Sequence, residues 1–232
     1  VVVERLHIEE PEPPAPVTEP EKTFEEVLDE HPVSIQVNGQ WQTFPNAKAA
    51  EEASYEEYKA NLRRNAKNFR ITDEHLGEGG PKAKFQANVN AIRLLKELEA
   101  AGQQASPEQQ EVLSRYVGWG GLSDAFDPEK PAWALEYAQL KELLTPEEYA
   151  AARSSTLNAH YTSPTVIQAI YEAVDRMGFE TGNILEPSMG VGNFFGMLPE
   201  KMRNSRLYGV ELDPVSGRIA KQLYPKADIT VG

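Results

Sequence analysis

Three strand-like runs near the end of the chain limit its folds more than any other feature. They are residues 183–186 (Asn-Ile-Leu-Glu), 207–211 (Leu-Tyr-Gly-Val-Glu) and 228–231 (Asp-Ile-Thr-Val). Helices are predicted between them, near residues 194–198 and over 214–223. A further helix precedes the first run, opened by Ser163-Pro164, carried by Ile167, Ile170 and Val174, and closed by Gly178. Strand and helix alternating at this spacing predict a parallel sheet joined by right-handed crossovers. The fold class is therefore α/β, with residues 158–232 forming its sheet.

Ahead of the sheet, residues 69–157 read as a helical region. Phe85, Val89, Ile92, Leu95 and Leu98 recur at three- and four-residue spacing and form one apolar stripe that stops at Gly102. Ser106-Pro107-Glu108-Gln109 opens a helix predicted to run through Val112 and Tyr116, and Gly118-Trp119-Gly120-Gly121 then breaks the chain. Residues 131–144 and 145–154 predict two more helices, the second capped by Thr145-Pro146. Trp119 is expected to be a packed loop tryptophan.

Residues 23–68 predict a small α+β module. It comprises a short helix capped by Thr23, an Asn38-Gly39 hairpin between residues 33–37 and 41–44, and an Ala/Glu/Lys-rich helix over 47–66. Residues 1–22 form an acidic tether in which Pro11, Pro13, Pro14, Pro16 and Pro20 stand among glutamates.

The formal charge of −13 over 232 residues argues at first against nucleic acid as a partner. Its distribution weakens that argument: residues 1–30 hold ten acidic and two basic groups, whereas 151–232 hold eight of each. Arg63, Arg64, Lys67 and Arg70 form a basic stretch that reads as a solvated helix end. The absence of cysteine excludes a disulfide scaffold, a thiolate zinc site and a cysteine nucleophile. His7, His31, His75 and His160 stand singly, so no metal site is expected. No apolar run approaches a membrane span and no signal peptide is visible, which points to the cytoplasm. Val1 stands where a start methionine would be, and the chain is expected to be a piece of something longer.

Chemistry concentrates in Glu186-Pro187-Ser188-Met189-Gly190-Val191-Gly192-Asn193-Phe194, directly after a predicted strand and opening a predicted helix. Gly190 and Gly192 allow a tight turn and close approach of a ligand, and the helix N-terminus offers free N–H groups. Glu211 ends the next strand, 21 residues after Gly190. A carboxylate there can accept hydrogen bonds from ribose hydroxyls. Phe195 occupies the third glycine position of a dinucleotide fingerprint, and no Gly-Lys-Ser/Thr occurs, so neither a dinucleotide nor a triphosphate loop is encoded.

The acid-Pro-x-x-Gly-x-Gly-x-Phe run resembles the first motif of S-adenosylmethionine-dependent, adenine-directed DNA methyltransferases. His160-Tyr161-Thr162-Ser163-Pro164 resembles the Tyr-Thr-Pro motif that those enzymes place before the glycine loop, with Ser163 inserted. Residues 69–232, including Tyr116-Val117-Gly118-Trp119-Gly120-Gly121-Leu122, are similar to the region ahead of, and the start of, the core in large methylase–helicase proteins of bacterial mobile elements and phages. The resemblance implies the N-terminal half of a Rossmann-like methyltransferase sheet, cut short after its third strand. It implies S-adenosylmethionine as cofactor, held by Glu186 at its ammonium, Gly190 and Gly192 around its methionine end, Glu211 at the ribose and Leu212 against the adenine. Tyr161 and Thr162 would close the carboxylate end, while Pro187 and Phe194 belong to the loop motif. DNA and a helicase domain are implied as partners of the whole protein.

The acceptor half of that chemistry is missing. The family binds an extruded adenine with Asn/Asp-Pro-Pro-aromatic, whereas the only Pro-Pro here is Pro13-Pro14, between Glu12 and Ala15. No catalytic residue is assigned, and this chain alone is expected to be inactive. The alternative reading is a non-catalytic DNA-recognition or protein-docking module whose glycine loop is structural.

Overall fold

The computed structural model describes residues 31–73, 75–159 and 161–232. The tether and the helix predicted after Thr23 therefore lie outside the described residues. The chain divides at Ala60 and Asn61 into two compact units.

In the first unit, β1 (Val33–Val37) and β2 (Gln40–Phe44) form an antiparallel hairpin with Val33 opposite Phe44 and Val37 opposite Gln40. Asn38 and Gly39 make the turn with φ of 52° and 74°, the pair of left-handed residues that matches strand twist in a two-residue hairpin. Helix α1 (Ala47–Asn65), which begins in this unit and holds the division point, follows, with Asn46 Oδ1 accepting from Ala49 N–H at 2.8 Å. Glu57 fastens this helix to the turn by accepting from Asn38 N–H at 2.5 Å.

In the second unit, α2 (Pro81–Ala100) buries the predicted stripe of Phe85, Val89, Ile92, Leu95 and Leu98, together with Asn88. Helix α3 (Pro107–Ser114) begins with a reciprocal cap between Ser106 and Gln109. It ends at Ser114, so the predicted helix is too long by two residues, and Val112 within it is exposed. Trp119 is buried in the break, edge-on to Phe85, Tyr116 and Phe126. Short 3-10 turns at Ser123–Phe126 and Pro131–Trp133 lead to α4 (Ala134–Leu143) and α5 (Pro146–Ser155), the latter capped by Thr145 and Glu148.

The remaining elements are α6 (Pro164–Arg176), β3 (Asn183–Glu186), α7 (Asn193–Gly196), β4 (Arg206–Glu211), α8 (Pro214–Leu223) and β5 (Asp228–Val231). The three strands form a parallel sheet in the order β3-β4-β5. The architecture is mixed α/β. In β4, Leu207 and Gly209 are buried while Val210 on the opposite face is exposed, as the two-residue period of a strand covered on one side requires.

Helix α8 packs on β4 and β5 and also on α2, α3 and α5, so the sheet and the helices share one core. A charged network lies at this junction. Glu148 accepts from Lys96 Nζ at 2.8 Å and Arg218 Nη1 at 2.6 Å, and Arg218 also grips both oxygens of Glu99. Burial pushes the Glu148 carboxyl up. Lys96, the Thr145 N–H and Arg218 together overcome this and hold it down at about 2. Residues 67–71 lie along the same core, with Phe69 N–H bonded to the Leu223 carbonyl and Ile71 N–H to that of Gly196. No helix among the described residues is long and apolar enough to cross a membrane.

Candidate functional site

The C-terminal ends of β3 and β4 open onto a cavity of about 500 Å³, which lies where open α/β sheets take their ligands. The chain leaves β3 at Glu186 and turns back through Gly190 and Gly192, whose φ values of 55° and 84° are left-handed. Two backbone bonds hold the turn: Met189 N–H to the Val210 carbonyl at 3.1 Å, and Gly192 N–H to the Met189 carbonyl at 2.8 Å. The helix that follows, α7, is a single turn at Asn193–Gly196, where a short helix near 194–198 is predicted. Its dipole is correspondingly slight, which removes the expected helix N-terminus from the list of ligand-binding devices.

Glu211 performs a task that the sequence does not reveal. Its Oε2 accepts from Gly190 N–H at 2.6 Å and its Oε1 from Asp213 N–H at 2.8 Å, so one carboxylate clasps the glycine loop to the end of β4. Asp213 in turn caps α8, accepting from Ser216 N–H at 2.7 Å. Glu186 has no such support. Its Oε2 is buried without a hydrogen-bond partner, and burial, with the Glu211 charge beside it, pushes its carboxyl up to about 8. An unpaired buried carboxylate is costly to ionise and is relieved by a cation.

Tyr161 packs its ring beside Gly190 and shares a hydrogen bond with Ser216 Oγ at 3.1 Å. Burial pushes its phenol well above the usual range and keeps it neutral. Thr162 lines the cavity next to it. Phe194 lines it as well, with its carbonyl accepting from Tyr171 Oη at 2.8 Å. Leu212 stands at the rim, 82% exposed. Among the residues singled out from the sequence, Tyr161, Thr162, Glu186, Gly190, Phe194, Glu211 and Leu212 meet at this cavity. Pro187 and Gly192 are not on its wall; Pro187 is exposed, and Gly192 is buried against Tyr224.

The helical region supplies a wall that motif reading missed. Ala151, Ser154, Ser155 and Asn158, at and just beyond the end of α5, face the sheet side across the cavity, with Tyr116 and Gly118 beside Tyr161. The nearest sequence signal is the glycine-flanked Trp119, which marks a break in the helices without showing what the break touches.

A cavity at the strand ends of a parallel sheet, beside a glycine loop and lined by the carboxylates of Glu186, Glu211 and Asp213, defines the class of site. Similarity to known proteins is limited. Over 155 residues, 67% of this chain and 5% of the relative, the sequence is 24% identical to "Defense against restriction protein B" of Escherichia phage P1. Over 43 residues, 18% of this chain and 11% of the relative, it is 46% identical to "Type II methyltransferase M.CvrRI" of Paramecium bursaria Chlorella virus XZ-6E. The chain thus spans a small fraction of each of these relatives, and the shorter match suggests a link to methyltransferases. No family model and no solved structure matches the chain.

Proposed function

We propose that the cavity is the S-adenosylmethionine site of a Rossmann-like DNA methyltransferase core whose parent protein methylates the exocyclic amine of adenine. One observation carries the reading: the half-buried Glu186, whose Oε2 is buried without a partner, lines a cavity framed by the glycine loop. A cationic ligand is what such a group binds best, and the cavity size falls in the range of roughly 300–1,000 Å³ usual for small-molecule sites. The ordered pair of Tyr161-Thr162 and the loop at 186–194, and the short likeness to a type II methyltransferase, support the same reading.

When bound, the cofactor supplies a methyl group on a cationic sulfur. The protein's part is to bind and orient it. Glu186 takes the ammonium, and the backbone at Gly190 lies against the methionine end. Each Glu211 oxygen has a second lone pair, so it can accept a ribose hydroxyl while keeping its clasp on the loop. Leu212 offers apolar surface at the rim for the adenine, and Tyr161 and Thr162 close the carboxylate end. Pro187 stiffens the exit from β3, and Gly192 supplies the left-handed turn behind the loop. DNA and a helicase domain are partners of the whole protein, placed in the cytoplasm. Methyl transfer is not assigned to this chain, which has no Asn/Asp-Pro-Pro-aromatic segment.

Calorimetric titration of S-adenosylmethionine tests the reading. The wild-type chain binds it, and Glu186→Gln weakens binding by about tenfold or more, the effect of losing roughly 1.4 kcal/mol of charge pairing. Absence of binding by the wild-type chain overturns the proposal. A second reading, a DNA-recognition or docking module with a structural glycine loop, is favoured by one observation: both Glu211 oxygens already accept from backbone N–H groups. A chain that takes up no cofactor yet retards a DNA duplex in a gel supports that reading.

A further inference from the structure

We infer that Gly118 and Asn88, both in the helical region, are positioning residues for the glycine loop and act on it through the ring of Tyr161. The consequence for ligand affinity rests on the S-adenosylmethionine reading above; the mechanical coupling does not. The ring is wedged between two backbones. A Cβ added at Gly118 would lie 2.5 Å from Tyr161 Cε2, and one added at Gly190 would lie 2.8 Å from Cε1. These atoms are on opposite edges of the same ring, so neither backbone can carry a side chain without moving it. Both glycines are also left-handed, at φ of 69° and 55°.

The wedge has a firm back. Asn88, fully buried on α2, donates from Nδ2 to the Gly118 carbonyl at 2.6 Å and accepts at Oδ1 from Val117 N–H at 2.9 Å. Using both ends of one amide ties residues 117–118 to a helix that buries seven residues in the core. The hydroxyl end of Tyr161 is held by Ser216 on the first turn of α8. On the far side of the ring, Gly190 is held by Glu211. The ring is therefore held at both edges and at its hydroxyl. Tyr161 and Thr162 also divide the 500 Å³ cavity from a neighbouring one of about 350 Å³, so a shift of the ring alters the wall of both.

An alanine at 118 forces its Cβ and the ring apart by about 1 Å to reach ordinary contact. That movement is directed at Gly190. The glycine loop, more than 70 positions away in sequence, lies in the path of that movement.

Amide hydrogen exchange of the full chain, resolved by peptide and run without ligand, tests this. Gly118→Ala and Asn88→Ala are expected to speed exchange at residues 189–193 by about tenfold, through lower-cost local opening, while the α2 and α8 amides follow only each variant's change in global stability. Tyr161→Ala should speed exchange at both 117–121 and 189–193, and adding Gly118→Ala to it should produce no further increase at 189–193. A folded Gly118→Ala protein with unchanged exchange at 189–193 overturns the inference. If Gly118→Ala does not fold, Tyr161→Ala decides: faster exchange at both loops supports the coupling, and at one loop alone overturns it. S-adenosylmethionine titrated into the same samples separates the two readings, because a wild-type chain that binds none removes the cofactor while the exchange result still judges the coupling.

Discussion

Glu186→Gln isolates the cost of the buried carboxylate. In the folded chain its pKa is about 8, against an ordinary glutamate value of 4.5. Between those values the unfolded chain has released the proton and the folded chain keeps it, so stability falls as pH rises. Integrated from about pH 5 to about pH 7.5, this one group removes about 3 kcal/mol, and the loss levels off above about pH 8. With a urea m-value of about 2 kcal/mol/M, the midpoint drops by about 1.5 M over that range. Glutamine keeps the shape and cannot ionise, so the variant should show that much less pH dependence, other titrating groups being common to both proteins. Urea unfolding followed by tryptophan fluorescence is the assay, because Trp119 is buried in the relevant unit whereas Trp41 is already 72% exposed. Parallel curves for wild type and variant from pH 5 to 7.5 would refute the reasoning, showing that Glu186 finds a partner or solvent in the folded protein.

Further outcomes follow from the same structure. Glu148→Ala leaves Lys96 and Arg218 facing a buried gap and should cost about 3 kcal/mol at neutral pH, measured by urea unfolding. Because the folded-state value for Glu148 is depressed to about 2, its contribution is fully present above about pH 4.5 and is lost as pH falls through 2, so wild type and variant converge in strong acid. Asn88→Ala orphans the part-buried Val117 N–H and the buried Gly118 carbonyl. A loss of about 2 kcal/mol, or a midpoint lower by roughly 4–8 °C in calorimetry, is expected. If S-adenosylmethionine binds as proposed, its affinity should rise by up to about tenfold per pH unit towards pH 8 as Glu186 gives up its proton, and Glu186→Gln should abolish that slope in calorimetric titrations.

Much of the local structure was legible because it follows from nearest neighbours. The Phe85 to Leu98 stripe, the Ser106 and Thr145 caps and the Asn38-Gly39 turn each depend on residues only a few positions apart. Boundaries were less legible. Tyr116 falls outside α3, and α7 lies at Asn193–Gly196, one to two residues ahead of the predicted 194–198, with Gly192 and Gly196 packed against Tyr224 and Ile71, partners distant in sequence.

The candidate site divides the same way. Sequence by itself determined that two glycines follow a strand ending in Glu186, that a second strand ends in Glu211, and that Tyr161-Thr162 precede both. Those are facts of order and spacing, and they were enough to bring most of the predicted residues to one cavity. Only the tertiary structure decided what each does there. Glu211 clasps Gly190, Glu186 is left with a buried, unpartnered oxygen, and the end of α5 supplies the opposite wall. Burial and pairing of a charge depend on everything packed around it, and the packing at this cavity comes from helices that carry no motif of their own.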